Sequence, residues 1–211
     1  LAGGRTSPAA GKRYKNFDEF LRERPKDQPF CFWQGSTDPH RPHDWQSGLK
    51  SGMDLTKVKV PAPYPDTEIV RTDIADYLWE VQRFDSLVAK VIASVEAAGE
   101  LENTLIVVTG DHGIPFPRGK CNLYDLGTRV PLAVRWGSKV KPGQNVDALV
   151  SLIDLAPTFF DAAGLPGGDF DGRTLLDLIA GRPPGEPWRT SIVFGRERHT
   201  LAQGGRSLLA F

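Results

Sequence analysis

Asp111 and His112 stand directly behind five apolar or β-branched residues, 105–109, in a run that stops at Gly110. Such a run predicts a short buried strand. The carboxylate and the imidazole therefore fall at its carboxyl end, the edge at which open α/β sheets gather ligands. Lys120 follows seven residues after Gly113, in a loop stiffened by Pro115, Pro117 and Gly119. A hard anion beside a nitrogen donor, followed by a cation on a rigid loop, suits a metal that holds an anionic substrate. The bland alternative is a solvated Asp–His pair at a strand end.

Two more segments repeat the pattern. Residues 29–35 (PFCFWQG) predict a second buried strand, followed by Ser36, Thr37, Asp38, Pro39 and His40, with His43 close behind. Residues 191–194 predict a last strand, which leads into Arg196, Glu197, Arg198 and His199. The four histidines of the chain thus all follow strands, three in number. Scattered capping or solvated histidines would seldom fall that way.

The elements that must position these residues alternate. Residues 1–15 lack period and predict a linker or loop. Asn16 is placed to cap a helix with Glu19 as its capping-box partner, and that helix ends before Pro25. Residues 46–66, rich in Gly, Ser and Pro, predict an extended surface segment. Over 69–98, Ile74, Leu78, Val81, Phe84, Leu87, Val88, Val91, Ile92 and Val95 recur at helical spacing. Arg71, Asp73, Asp76, Glu80, Arg83 and Lys90 lie mostly off that stripe, and Gly99 supplies the stop. Residues 130–135 predict a strand. Residues 151–163 predict a helix with Asp154 as N-cap and Pro157 in its first turn, and 174–180 a short one. This strand–helix alternation predicts an α/β fold, a mostly parallel sheet with helices on both faces.

Composition narrows the partners. The 211 residues carry 26 basic and 26 acidic side chains, so the formal net charge is zero. Binding to a nucleic-acid backbone needs a basic excess, which argues against that class, whereas a small anionic substrate needs only local positive charge. No apolar run is long enough to span a membrane. Cys31 and Cys121 form no C-x-x-C or metal-finger spacing. A single disulfide is open to them, but they read better as two free buried thiols, with Cys121 a plain neighbour of Lys120.

Three stretches in this order carry a family resemblance: PFCFWQGSTDPHRP; VQRFDSLVAKVIASVEAAGELENTLIVVTGDHGIPFPRGKCNLYDLGTRVPL; and SLIDLAPTFFDAAGLP with DGRTLLDLIAG. Over roughly residues 16–199 the chain resembles the carboxyl-terminal part of the sulfatase catalytic domain, of the alkaline-phosphatase-like superfamily. Within it the likeness is to heparan N-sulfatase-like (sulfamidase-like) proteins. The resemblance implies that Asp111 and His112 ligate a divalent cation, that Lys120 contacts the sulfate, and that His40 contacts the sulfate or protonates the leaving group. It places Glu197 and His199 among substrate-facing residues. The implied substrate is a small anion, a sulfated sugar or aryl sulfate. The implied metal is calcium by family, with manganese, magnesium or zinc open because imidazole suits softer ions than an oxygen-loving calcium does, and many sulfatases carry Asn where this chain has His112.

The resemblance also implies a formylglycine nucleophile made from a C/S-x-P/A-x-R motif, and neither Cys31 nor Cys121 lies in one. The early aspartates that complete the metal site are missing as well. Residues 16–199 are therefore expected to be part of a domain whose amino-terminal half is a required partner, with 200–211 beginning a further segment. Alone, the chain is expected to be inactive. The alternatives are a phosphonate-monoester or phosphodiester hydrolase of the same superfamily, and a non-catalytic remnant or binding module. The compartment is not legible in the chain; by resemblance it is periplasmic, secreted or lysosomal.

Overall fold

The computed structural model describes residues 12–195. The chain divides into two compact units, Leu1–Glu100 and Leu101–Phe211.

In the first unit, α1 (Phe17–Glu23) begins where expected. The Asn16 side chain accepts a hydrogen bond from Glu19 N at 2.9 Å. The returning Glu19 carboxylate takes the amide of Lys15, one residue earlier than in a regular capping box. The helix ends at Arg24, which Pro25 pushes to an extended ψ of 149°. Residues 29–35 do not form the expected strand. They keep a strand's alternation, with Phe30 and Phe32 turned inward and Cys31 and Trp33 outward. The inward rings pack on α1 instead of extending a ladder: Phe32 lies 4.7 Å from Phe20 and 5.0 Å from Phe17 between centroids. Arg24 closes this cluster, with its guanidinium over Phe30 at 4.7 Å and paired with Glu100 at 2.6 Å.

The loop expected over 46–66 contains a short helix, α2 (Ser47–Lys50), and a 3-10 turn at Leu55–Lys57. Helix α3 (Glu68–Ala97) is the long helix, capped by Thr67 and stopped by Gly99 at φ 73°. Gly99 N bonds Glu96 O at 2.8 Å and Glu100 N bonds Val95 O at 3.1 Å, the paired bonds of a Schellman cap. Its buried face differs from the apolar stripe. Ile74, Ala75 and Val95 are buried, but so are Asp76 and Glu80, while Leu78 is exposed. Asp76 is inside because its carboxylate accepts Gln46 N at 2.9 Å and Gly48 N at 2.8 Å, which fastens α2 onto α3. Gly48 permits that approach, since a Cβ there would lie 2.5 Å from the Ala75 carbonyl carbon.

In the second unit, β1 (Ile106–Thr109) pairs with β2 (Leu132–Arg135). Among the described residues this is a two-stranded antiparallel ladder, not the mostly parallel sheet expected, and residues 191–194 form no strand. The two strands are joined by residues 110–131, in which α4 (Asp125–Thr128) is a single turn. The strands are half-buried, not fully buried. Arg135 ties the base of the ladder to the preceding 3-10 turn, donating to Leu101 O at 2.9 Å. The two cysteines are free, but Cys31 is exposed and Cys121 half-buried, so the expectation of two buried thiols fails.

Helix α5 (Leu155–Ala162) follows a 3-10 turn at Leu152–Asp154, and α6 (Leu176–Ile179) is a single turn. Asp154 does not cap α5 with its side chain. It is fully buried and organises its surroundings. Arg189 donates to both its oxygens at 2.7 and 2.6 Å, and the amides of Ser151 and Arg173 each donate at 2.8 Å. Burial opposes ionisation of Asp154, yet Arg189 and the two amides outweigh it and hold its carboxyl below the ordinary aspartate range. Among the described residues no helix is long and apolar enough to cross a membrane.

Removing one partner of a buried ion pair strands the other. Asp154→Asn in the complete protein is therefore expected to cost about 3–5 kcal/mol in urea unfolding at neutral pH. Because the folded pKa is depressed, the parent's advantage is complete above the unfolded value of about 3.9 and is lost as pH falls through the folded one. Equal stabilities at neutral pH would contradict this role.

Candidate active site

Strand β1 delivers the chain to Gly110 and then exposes Asp111, whose side chain is 91% accessible. His112 is more enclosed, at 33%. Its Nδ1 lies 2.8 Å from Gly113 O. A carbonyl can only accept, so Nδ1 carries a proton. Nε2 faces Asp111 Oδ1 at 3.5 Å, as an ion pair when Nε2 is also protonated and as a second donor atom toward a cation when it is not. Two electron-rich atoms at that separation are suited to share one cation, and a ligating histidine commonly donates its other N–H to a carbonyl in this way. The pair therefore fits a divalent metal as part of a donor set. Among the described residues no group of three or more His, Cys, Asp or Glu side chains could hold a metal, so further ligands would have to come from elsewhere.

The loop after His112 is closed by backbone. Gly113 N bonds Gly127 O at 3.0 Å, Ile114 N bonds Leu126 O at 3.1 Å, and Lys120 N bonds Ile114 O at 2.8 Å. Three glycines make this closure sterically feasible. A Cβ on Gly113 would lie 1.8 Å from Leu126 O, one on Gly119 2.2 Å from Ile114 O, and one on Gly127 2.2 Å from Asn122 O. Phe116 is buried beneath the loop. Lys120 sits between Arg118 and Cys121, non-glycine residues at left-handed φ values of 62° and 65°. Strain of this kind persists where the surroundings over-determine the backbone. Asn122 adds a side-chain bond to Lys120 O at 3.1 Å.

His40 belongs to the first unit, on an exposed turn closed by its own amide to Thr37 O at 2.7 Å. Its Nδ1 is within hydrogen-bond distance of Arg41 O. The turn is carried by α3. Arg83 reaches Asp38 at 3.1 Å, and Arg41 reaches Asp73 at 2.6 Å. His43 is buried, with Nδ1 3.8 Å from Asp73 Oδ1 and its ring 5.9 Å from that of Tyr77. Burial raises the pKa of Glu80 on the same face, and His43 partly offsets the shift. In the sequence Asp73 and Arg83 stand out only as lying off the apolar stripe. The signal that finds them is their spacing: 73, 76, 80 and 83 form a polar stripe of helical period on α3. Glu197 and His199 lie outside the described residues.

The sulfatase family model matches residues 11–165, and the chain belongs to that family. It is 35% identical over 189 residues to human N-sulphoglucosamine sulphohydrolase, covering 83% of this chain and 36% of that protein. Among solved structures it is similar to the phosphonate monoester hydrolase SpPMH from Silicibacter pomeroyi, at 30% identity and a TM-score of 0.51, over 67% of this chain and 29% of that one. It is also similar to BT4656 in complex with its substrate D-glucosamine-2-N,6-O-disulfate, at 27% identity and a TM-score of 0.56, over 72% and 31%. The chain thus spans about a third of the length of these relatives. Its structural neighbours have the alkaline-phosphatase-like fold.

The loop closure carries its own test. Gly127→Ala forces a methyl group against two backbone carbonyls, and overpacking of this kind costs about 1–3 kcal/mol. Amide exchange in the complete protein should then accelerate at residues 113, 114 and 120, while α5 keeps its protection. Unchanged exchange at those three amides would contradict the closure.

Proposed function

We propose that this chain forms part of a sulfatase that hydrolyses sulfate esters or sulfamates of sugars, using a divalent metal and a formylglycine nucleophile that lies outside the chain. The observation that carries the reading is the paired Asp111–His112 donor set at the end of β1, followed by a backbone-locked loop that holds Lys120. Similarity to a human N-sulphoglucosamine sulphohydrolase and to a protein solved with a disulfated glucosamine supports the substrate class.

In this reading Asp111 and His112 hold the cation from one side. When bound, it would polarise the sulfate oxygens and lower the pKa of the attacking hydroxyl. Lys120 places a fixed positive charge against a sulfate oxygen, where negative charge grows in the transition state. His40, protonated at Nε2, donates to the leaving oxygen or nitrogen. These roles require His40, Asp111, His112 and Lys120 to converge on one sulfate, with Glu197 and His199 facing the sugar. We infer that β1 and β2 are one margin of a larger, mostly parallel sheet completed by the amino-terminal half of the domain. We infer by family a periplasmic, secreted or lysosomal setting.

A second reading, a phosphonate-monoester hydrolase, is favoured by the similarity to SpPMH and by the imidazole in the donor pair. Rates of the complete protein on a sulfate ester, a glucosamine sulfamate and a phosphonate monoester separate the two. The sulfated compounds should be turned over faster; a phosphonate preference would replace the first reading with the second. Lys120→Ala and His40→Ala should each lower kcat by at least about tenfold, and unchanged turnover would remove those residues from the mechanism. Chelation should abolish activity and a divalent cation restore it. Activity that survives exhaustive chelation would contradict the metal.

A further inference from the structure

The first unit carries a second recess that the proposed chemistry does not use. It is an open cleft of about 470 Å³ lined by Asp44, Trp45, Ser47, Lys50, Ser51 and Trp79. That volume lies within the roughly 300–1,000 Å³ typical of small-ligand sites. Trp45 is 52% exposed, although a large aromatic surface is ordinarily covered. Lys50 Nζ rests 3.3 Å from the main-chain carbonyl of Trp45, so the ammonium is tied to the backbone of the residue that carries the indole.

The cleft wall is held in place. Gln46, between Trp45 and Ser47, has a left-handed φ of 62°, a strained value for a residue with a side chain. Buried Asp76 fixes it, accepting the amides of Gln46 and Gly48. Gly48 lies so close to Ala75 that α2 has no room to slide on α3. Trp45 and Lys50 flank this clamp and Trp79 rises from α3 itself, so the backbone that carries the aromatic and charged groups is set before any ligand arrives.

We propose that this cleft is a saccharide subsite that takes a sugar ring bearing an anionic sulfate. A pyranose ring offers a face of C–H bonds to an indole and hydroxyls around its rim. The Asp44 carboxylate and the Ser51 hydroxyl, whose own proton goes to Gly48 O, can accept from those hydroxyls, and Lys50 supplies the cation for a sulfate. An aryl sulfate without a saccharide chain would have no use for it. The substrate class rests on the sulfatase reading above; the existence of a sugar-binding cleft does not.

The test uses the complete protein, with Trp45→Ala and Lys50→Ala as variants. Neither residue is in the proposed catalytic machinery, and both side chains lie toward solvent. Calorimetric titration with a sulfated glucosamine tetrasaccharide, and with its desulfated form, reads the cleft directly. Trp45→Ala should weaken binding of both by about tenfold or more. Lys50→Ala should weaken binding of the sulfated form alone. Hydrolysis of a small aryl sulfate should be unchanged in both. Parent-like tetrasaccharide affinity in Trp45→Ala overturns the proposal, even if every sulfated substrate is cleaved. Loss of that affinity in a protein that cleaves no sulfate supports the cleft and removes the sulfatase reading instead. Equal losses for both saccharides in Lys50→Ala overturn the assignment of the sulfate to that lysine.

Discussion

The close approach of Gly113 to Gly127 is the constraint on which the candidate site depends. The chain leaves β1 carrying a carboxylate and an imidazole, and it must turn back within a few residues if Lys120 is to be held near the same strand end. Backbone–backbone hydrogen bonds from 113, 114 and 120 close that turn, and three glycines leave room for them. A side chain at any of the three would meet a carbonyl oxygen far inside contact distance. The main-chain placement of Lys120 is therefore set by backbone hydrogen bonds, with the Asn122 side chain adding one more. Preorganised charge needs this kind of support, because a cation that must reorganise during reaction loses its advantage.

The first unit uses the opposite strategy. There, side-chain charges on α3 hold loops that have little secondary structure of their own. Asp73 and Arg83 grip the His40 turn, while Asp76 grips the segment that begins α2. Three residues of one polar stripe on one helix thus hold both the turn that carries a candidate proton donor and the segment that forms the tryptophan cleft. Asp154 does comparable work in the second unit, gathering Arg189, the local Ser151 amide and the distant Arg173 amide around one buried carboxylate. Asp76 and Asp154 each replace lost water with N–H donors, which is what makes burial of a charge tolerable.

Much of this was legible in the sequence where local signals act alone. Asn16, Gly99 and the pre-proline Arg24 mark helix ends through short-range sterics and hydrogen bonding, and the helices begin and end there. The donor pair at the end of β1 and the rigid loop after it were readable for the same reason. Residues 29–35 were misread because alternation reports which faces are buried, not whether a neighbouring strand exists; Phe30 and Phe32 found α1 instead. The antiparallel pairing of β1 with β2 was not legible, because alternation of elements does not fix strand direction. Asp76 and Asp154 looked like a surface charge and a cap. Their burial depends on partners 28 and 35 residues away, which no local window contains.

The account stands or falls on convergence at one anion. A crystal structure of the complete protein with a slowly hydrolysed sulfated glucosamine measures it directly. It should show Lys120 Nζ and His40 Nε2 within hydrogen-bond distance of the same sulfate group, and Asp111 and His112 both within about 2.0–2.6 Å of one cation beside it. A sulfate bound away from Lys120, or Asp111 and His112 facing solvent with the cation held by other residues, would contradict the account.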